Sequence, residues 1–181
     1  AYVSSERPYT SLDGATTMPV AVYAYPELAD QAEAALANTP DMIAALAQRF
    51  GEYPFLEEKY GNCLTPFGGG MEHQTLCSYG AGVLGLDWLN AHEVAHQWWG
   101  DWVTYDDWKE IWLAEGLASY SEVLWVEHVA PDQVIPYLQS QDALGFFTGP
   151  LYDNDVQFSN TVYDKASRVF HMLRNLVGAG F

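Results

Sequence analysis

In TMPVAVYAY, residues 17–25, the side chains alternate with the period of a strand, Val20 and Val22 sharing a face and the aromatics divided between faces. The period then changes. PELADQAEAALANTPDMIAALAQRFG (26–51) repeats apolar residues at helical spacing, with Thr39 and Pro40 as a cap and first-turn pair inside it and Gly51 as a stop. Between Glu52 and Tyr79, Pro54, Pro66 and the run Gly68 to Gly70 predict short strands around a glycine-rich turn. Helix is predicted over about 83–100 and again over about 107–129. In the second of these, Ile111, Trp112, Glu115, Ala118, Tyr120, Glu122 and Val126 mix helical spacings with large residues, the pattern of a buried helix lining a site. Pro131 opens a further helix, GFFTGPLYDND (145–155) reads as loop, and a last helix over about 162–177 stops at Gly178. Strands come first and helices after. That order predicts an α+β fold, a small N-terminal mixed sheet followed by a mainly helical half. No internal repeat or Gly/Ser linker interrupts it, so a single domain is expected.

Composition narrows the partners. Of 181 residues, 49% are apolar on a broad count, enough to bury a core. The 24 acidic against 7 basic side chains give a net charge of −17, which repels phosphate backbones and anionic lipid. Nucleic acid and membrane surfaces are therefore poor partners, whereas a metal ion or a cationic ligand suits the field; solubility is the other use of such charge. No apolar run approaches the ~18 residues that span a bilayer, and AYVSSERPY lacks the basic and apolar regions of a signal peptide. A soluble chain is predicted, with the compartment, cytoplasmic or exported, undecided. Starting without Met, it reads as a processed protein or a domain cut from a longer one. Cys63 and Cys77 are too few for a disulfide scaffold and wrongly spaced for a zinc ribbon, leaving one disulfide or two free thiols open.

The chemistry gathers in NAHEVAHQWWGDW (90–102). On a helix, positions four apart differ by about 40° around the axis, so His92 and His96 project from one face and can hold one ion together. A catalytic zinc takes three protein ligands and leaves one position for water. Glu115, with eighteen residues between it and His96, lies on the next predicted helix beyond a turn region, and supplies the third ligand. Glu122, seven residues further, returns to about the same face and can accept a ring N–H from His92 or His96. Glu93 sits beside the ligand face, where a carboxylate can take a proton from a metal-activated water and pass it to a leaving amine. The competing reading is a buried helix whose histidines only hydrogen-bond, an arrangement that is costly unless each polar group finds a partner.

HEVAHQWWGDWVT followed by WLAEGLASYSE resembles the gluzincin metallopeptidases, and within them the aminopeptidase N and leukotriene-hydrolase family. GGGMEHQT (68–75) is similar to that family's GAMEN exopeptidase motif, and VYDKASRVFHML (162–173) to its tyrosine, lysine and following helix. The resemblance runs from about Pro19 to Gly178 and has three motifs in the family's order. It implies a thermolysin-like zinc peptidase catalytic domain that hydrolyses the N-terminal peptide bond. His92, His96 and Glu115 would hold one Zn²⁺ and Glu93 would be the general base. Tyr163, which from local sequence alone reads as a core aromatic, would donate to the oxyanion. Glu72 would bind the free α-ammonium of a peptide substrate, and Gly69, Gly70 and Met71 would lie along that peptide.

Departures qualify the resemblance. GAMEN reads GGMEH here, so His73 replaces the usual asparagine; Ala166 stands where glycine is usual, and Ala114 where asparagine is common. His73 is not expected to ligate, because three ligands are already assigned. His128 and His171 read as surface or packing residues. Members of the family normally also carry an N-terminal β-domain and a C-terminal helical domain, which do not fit in 181 residues. The expectation is a fragment of a longer multidomain peptidase with a more open cleft. Two alternatives stand beside the aminopeptidase: a thermolysin-type endopeptidase, and a zinc-binding fragment with little activity of its own.

Overall fold

The computed structural model describes residues 1–143 and 147–178. Five strands form one mixed sheet: β1 (Val3–Thr10), β2 (Thr17–Ala24), β3 (Tyr60–Thr65), β4 (Gly70–Met71) and β5 (Cys77–Gly80), in the order β1-β2-β3-β5-β4. β1 pairs antiparallel with β2 from Val3 opposite Ala24 to Thr10 opposite Thr17. β2, β3 and β5 run parallel, and the two-residue β4 returns antiparallel on the edge. β1 lies outside the alternation read from the sequence, because it is an outer strand that buries only Tyr9 and so carries a mostly polar string.

The crossover from β2 to β3 is helical, as a parallel connection requires. It holds α1 (Ala29–Ala35) and α2 (Thr39–Phe50) where one continuous pattern predicts a cap inside. Thr39 does not cap α2. It is the first helical residue, its hydroxyl donating to the Leu36 carbonyl at 2.8 Å and accepting from the side-chain amides of Asn62 and Asn90. One buried hydroxyl thus joins the start of α2 to β3 and to the next helix, which carries Asn90. Gly51 ends α2 with φ +93°, a left-handed conformation that glycine adopts without a Cβ clash.

That next helix, α3 (Asp87–His96), is shorter than predicted at both ends. After His96 the chain tightens, with Trp98 N–H donating to the Ala95 carbonyl, and it turns at Gly100 (φ +138°). α4 (Trp112–Val129) follows, then α5 (Val134–Ala143) and α6 (Ala166–Val177). A single π-helical turn, Thr161–Lys165, leads into α6. Of the loop predicted over 145–155, residues 145 and 146 lie outside the described residues; 147–155 form no helix or strand.

α4 is the centre of the helical half. Ala114, Ala118 and Trp125 on one face and Val123 on the opposite one are all buried, with α3 and α6 packed against it and α2 and α5 flanking. Gly116 makes the α6 contact close: a Cβ there would lie 2.4 Å from that of Ala166. Both cysteines are free thiols. Among the described residues no helix is long and apolar enough to cross a membrane.

Candidate active site

From Leu89 to His96 every residue of α3 is buried, so its polar side chains must be satisfied by neighbours. His92 Nε2 and His96 Nε2 lie 3.1 Å apart, and Glu115 Oε2 from α4 lies 3.3 Å from each. A cation bound tetrahedrally at about 2.0–2.1 Å has ligand-to-ligand edges of about 3.3 Å. The three side chains therefore already have the spacing of one face of a metal tetrahedron, and the donor set, two imidazoles and a carboxylate, fits a borderline-soft divalent ion.

The outer partners orient these groups. Glu122 Oε1 meets His92 Nδ1 at 2.7 Å, and the Trp99 carbonyl lies 2.9 Å from His96 Nδ1, so both rings present Nε2 to the common point. Glu122 is thus a buried partner and not a solvated surface carboxylate. Tyr137 of α5 donates to the other oxygen of Glu122. Tyr137 lies outside every sequence motif, and Trp99, though within HEVAHQWWGDWVT, acts through its main-chain carbonyl; the packing of α5 and the turn after α3 bring the two here.

Glu93 lies beside the triad on the wall of a cavity of about 920 Å³. Its Oε2 is buried without a hydrogen-bond partner, and burial pushes its carboxyl up to about 7. Its side chain rests on Gly70, where a Cβ would come within 2.2 Å of Oε1. The glycine of β4 thereby lets the carboxylate lie directly over the edge strand. Burial works to raise Glu115, but hydrogen bonds from His92 and His96 override it and hold the carboxyl well below its ordinary range. Tyr163, in the π-helical turn, stacks on the His92 ring with centroids 5.9 Å apart, and burial and the Glu115 carboxylate raise its phenol. Asp164, next to it, is raised to about 6 by burial and by Glu122.

Glu72, just past β4, completes a second grouping: its carboxylate, that of Glu93 and a ring nitrogen of His96 lie within 4.8 Å of one another. Met71 and Gly70 line the cavity with it. Gly69 is set back from the wall, at φ +102°, its carbonyl accepting from Gly80 N–H. His73 turns away to Ser78. Among the described residues that line the cavity none is lysine or arginine, while Glu72, Glu93, Glu115, Glu122 and Asp164 all face it. Such a wall favours a cation from outside the chain.

The profile of the peptidase family M1 domain matches residues 69–180, more than half of the chain, from the glycine-rich turn through the metal triad to α6. The chain belongs to peptidase family M1. Aminopeptidase N of Rattus norvegicus is 31% identical over 72% of this M1 chain, and endoplasmic reticulum aminopeptidase 1 of Homo sapiens 27% identical over 99% of it. The M1 chain spans only 15% and 22% of those two relatives' own lengths. A solved mutant M1 zinc metallopeptidase from Deinococcus radiodurans, bound to a Tyr-Ser-Ala substrate, superimposes with a TM-score of 0.79 at 27% identity, covering 98% of this chain and 41% of that one. Legionella pneumophila aminopeptidase A superimposes at 0.85 with 20% identity, a likeness of fold. The α+β architecture expected from the order of strands and helices is that of the M1 metallopeptidases.

Proposed function

We propose that this M1 chain forms the catalytic core of a zinc aminopeptidase, which hydrolyses the first peptide bond of substrates with a free N-terminus. The observation that carries this reading is the grouping of the Glu72 carboxylate with Glu93 and His96 beside the ligand triad. His92, His96 and Glu115 would hold the zinc. When bound, it supplies a Lewis acid that lowers the pKa of water and polarises a carbonyl. Glu93, with an unpartnered oxygen on the cavity wall, takes the proton from the attacking water and delivers it to the departing amine. Tyr163, held by its stack on His92, donates its phenol to the oxyanion as the carbonyl becomes tetrahedral.

Glu72 pairs with the substrate α-ammonium, which is why only the terminal residue is removed: a blocked amine leaves a partly buried carboxylate without its cation. β4 is a sheet edge, so the main chain of Gly70 and Met71 is available to an extended peptide as one more antiparallel strand, with Gly69 setting the turn that leads into it. Glu122 keeps His92 in the tautomer that presents Nε2.

Hydrolysis of L-leucine p-nitroanilide and of its N-acetyl form, each with and without a chelator, tests the reading. Chelator-sensitive cleavage of the free amine alone is expected. Equal cleavage of both removes the exopeptidase role of Glu72, and cleavage that survives complete zinc removal removes the metal mechanism.

A further inference from the structure

Gln97 directly follows the second metal-binding histidine and is fully buried. Its amide orientation is dictated by its surroundings. Oε1 accepts from the Thr75 main-chain N–H at 2.8 Å, which can only donate, and this leaves Nε2 to donate to Asp101 Oδ2 at 2.7 Å. The Tyr53 hydroxyl adds a second donor to Oε1 at 3.2 Å, and Nε2 also reaches the Glu72 carbonyl at 3.4 Å and Cys77 Sγ at 3.7 Å. One side chain therefore bridges the end of α3 to both ends of the segment 72–77.

That segment is strained. Thr75 is β-branched yet sits at φ +61°, a left-handed conformation that is unfavourable for such a side chain and persists only where the surroundings impose it. Lys59 Nζ holds the Thr75 carbonyl at 2.8 Å from the other side, so the peptide groups on either side of the residue are each pinned. Releasing Thr75 to ordinary backbone angles would swing the chain that leads from β5 back to Glu72, whose carboxylate here stands within 4.8 Å of Glu93 and His96.

We infer that Gln97 is the positioning residue that sets the substrate-amine anchor Glu72 against the metal site, by clamping the strained Thr75 turn to the end of α3. The inference rests on the aminopeptidase reading for the role of Glu72 and on the hydrogen bonds alone for the clamp. It makes the helix that supplies two metal ligands also the gauge for the distance between metal and amine site.

Gln97→Met keeps the volume and removes every hydrogen bond. In the zinc-loaded chain, the Thr75 amide is expected to exchange with solvent at least about tenfold faster while the α3 amides keep their protection. KM for L-leucine p-nitroanilide is expected to rise about tenfold with kcat within about threefold and zinc still at one per chain, the split of an interaction with the substrate's binding end. A general structural role would instead lower kcat, zinc content and α3 protection together, and that pattern overturns the inference. Unchanged exchange at Thr75, or unchanged KM in a chain whose wild type cleaves the substrate, also overturns it. A wild type that cleaves no free-amine substrate overturns the aminopeptidase reading and the anchoring role with it, whereas Thr75 exchange still reports the clamp. If Gln97→Met does not fold, Gln97→Asn, which stays polar but is too short to span from α3 to the Thr75 N–H, carries the same expectations and the same refutations.

Discussion

At the scale of single residues, the proposed site separates groups that would hold a metal from the one that would move protons. Glu93 is not one of the His92, His96, Glu115 triad, while His96 is one corner of it. Glu93→Gln is therefore expected to abolish turnover and keep zinc at one per chain, and His96→Ala to lose both; metal analysis beside a rate assay decides, and zinc lost equally in the first would end the base assignment. His92, His96, Glu115 and Glu122 were legible in the sequence because helical periodicity alone puts two ligands, and then a ligand and its outer partner, on common faces. Glu72 and Tyr163 were reached through resemblance, since nothing in the local pattern of an edge strand or a π-helical turn marks them. Tyr137, the Trp99 carbonyl and the clamping role of Gln97 were not legible at all. Each acts through contacts between segments from 3 to 25 residues apart whose approach only the folded chain determines.

At the scale of elements, the active site depends on α4 being held from several sides. α6 can approach because residue 116 has no side chain, so Gly116→Ala forces the two helices apart. Overpacking of this kind costs about 1–3 kcal/mol, which in a chain of this size lowers Tm by roughly 2–10 °C. Because Tyr163 lies one turn before α6, kcat should fall as well; a melting scan and rate assay that both match wild type would show that the helices have slack. On the far end of α4, Glu127 joins three helices, pairing with Arg174 of α6 at 2.6 Å and Arg49 of α2 at 3.1 Å. The Arg174 hydrogen bond, against a smaller cost of burial, holds the Glu127 carboxyl at about 2. Since the folded value lies below the ordinary one, its stabilisation is fully present above about pH 4.5 and is lost as pH falls towards 2. Partly exposed, the network is worth no more than about 1 kcal/mol. Glu127→Gln should thus lower Tm by a few degrees at pH 7 and not at pH 2; an equal loss at both would assign the effect to packing. Helix existence was legible from apolar periodicity, whereas the end of α3 at His96, with its local Trp98-to-Ala95 turn, and the break of 26–51 into two helices, where Thr39 bonds to Asn62 and Asn90, are not marked by that periodicity.

At the scale of the whole molecule, the charge of −17 and a cavity wall that has no lysine or arginine among the described residues act in the same direction. A low-dielectric cleft lined by one sign of charge focuses the field and raises the local concentration of the opposite sign, by factors of about 10 to 1,000 in encounter rate. A peptide with a free N-terminus and a basic first side chain brings two positive charges to that field, and one with an acidic first side chain is repelled. For substrates that differ only in an N-terminal lysine or glutamate, kcat/KM should favour lysine at low salt. The long-range part of that preference should collapse as the screening length shrinks from about 20 Å or more to a few Å, between about 0.02 and 0.5 M salt. A preference built by direct contact at Glu72 or Asp164 would persist, because charges a few ångströms apart in a buried wall are poorly screened. Measuring kcat/KM for both substrates across that range separates the two. A lysine-to-glutamate ratio that stays constant with salt would show that the acidic surface serves solubility and that selection is made inside the cleft; a ratio falling by tenfold or more would show that the charge of the whole chain acts as an antenna for the ammonium that Glu72 receives.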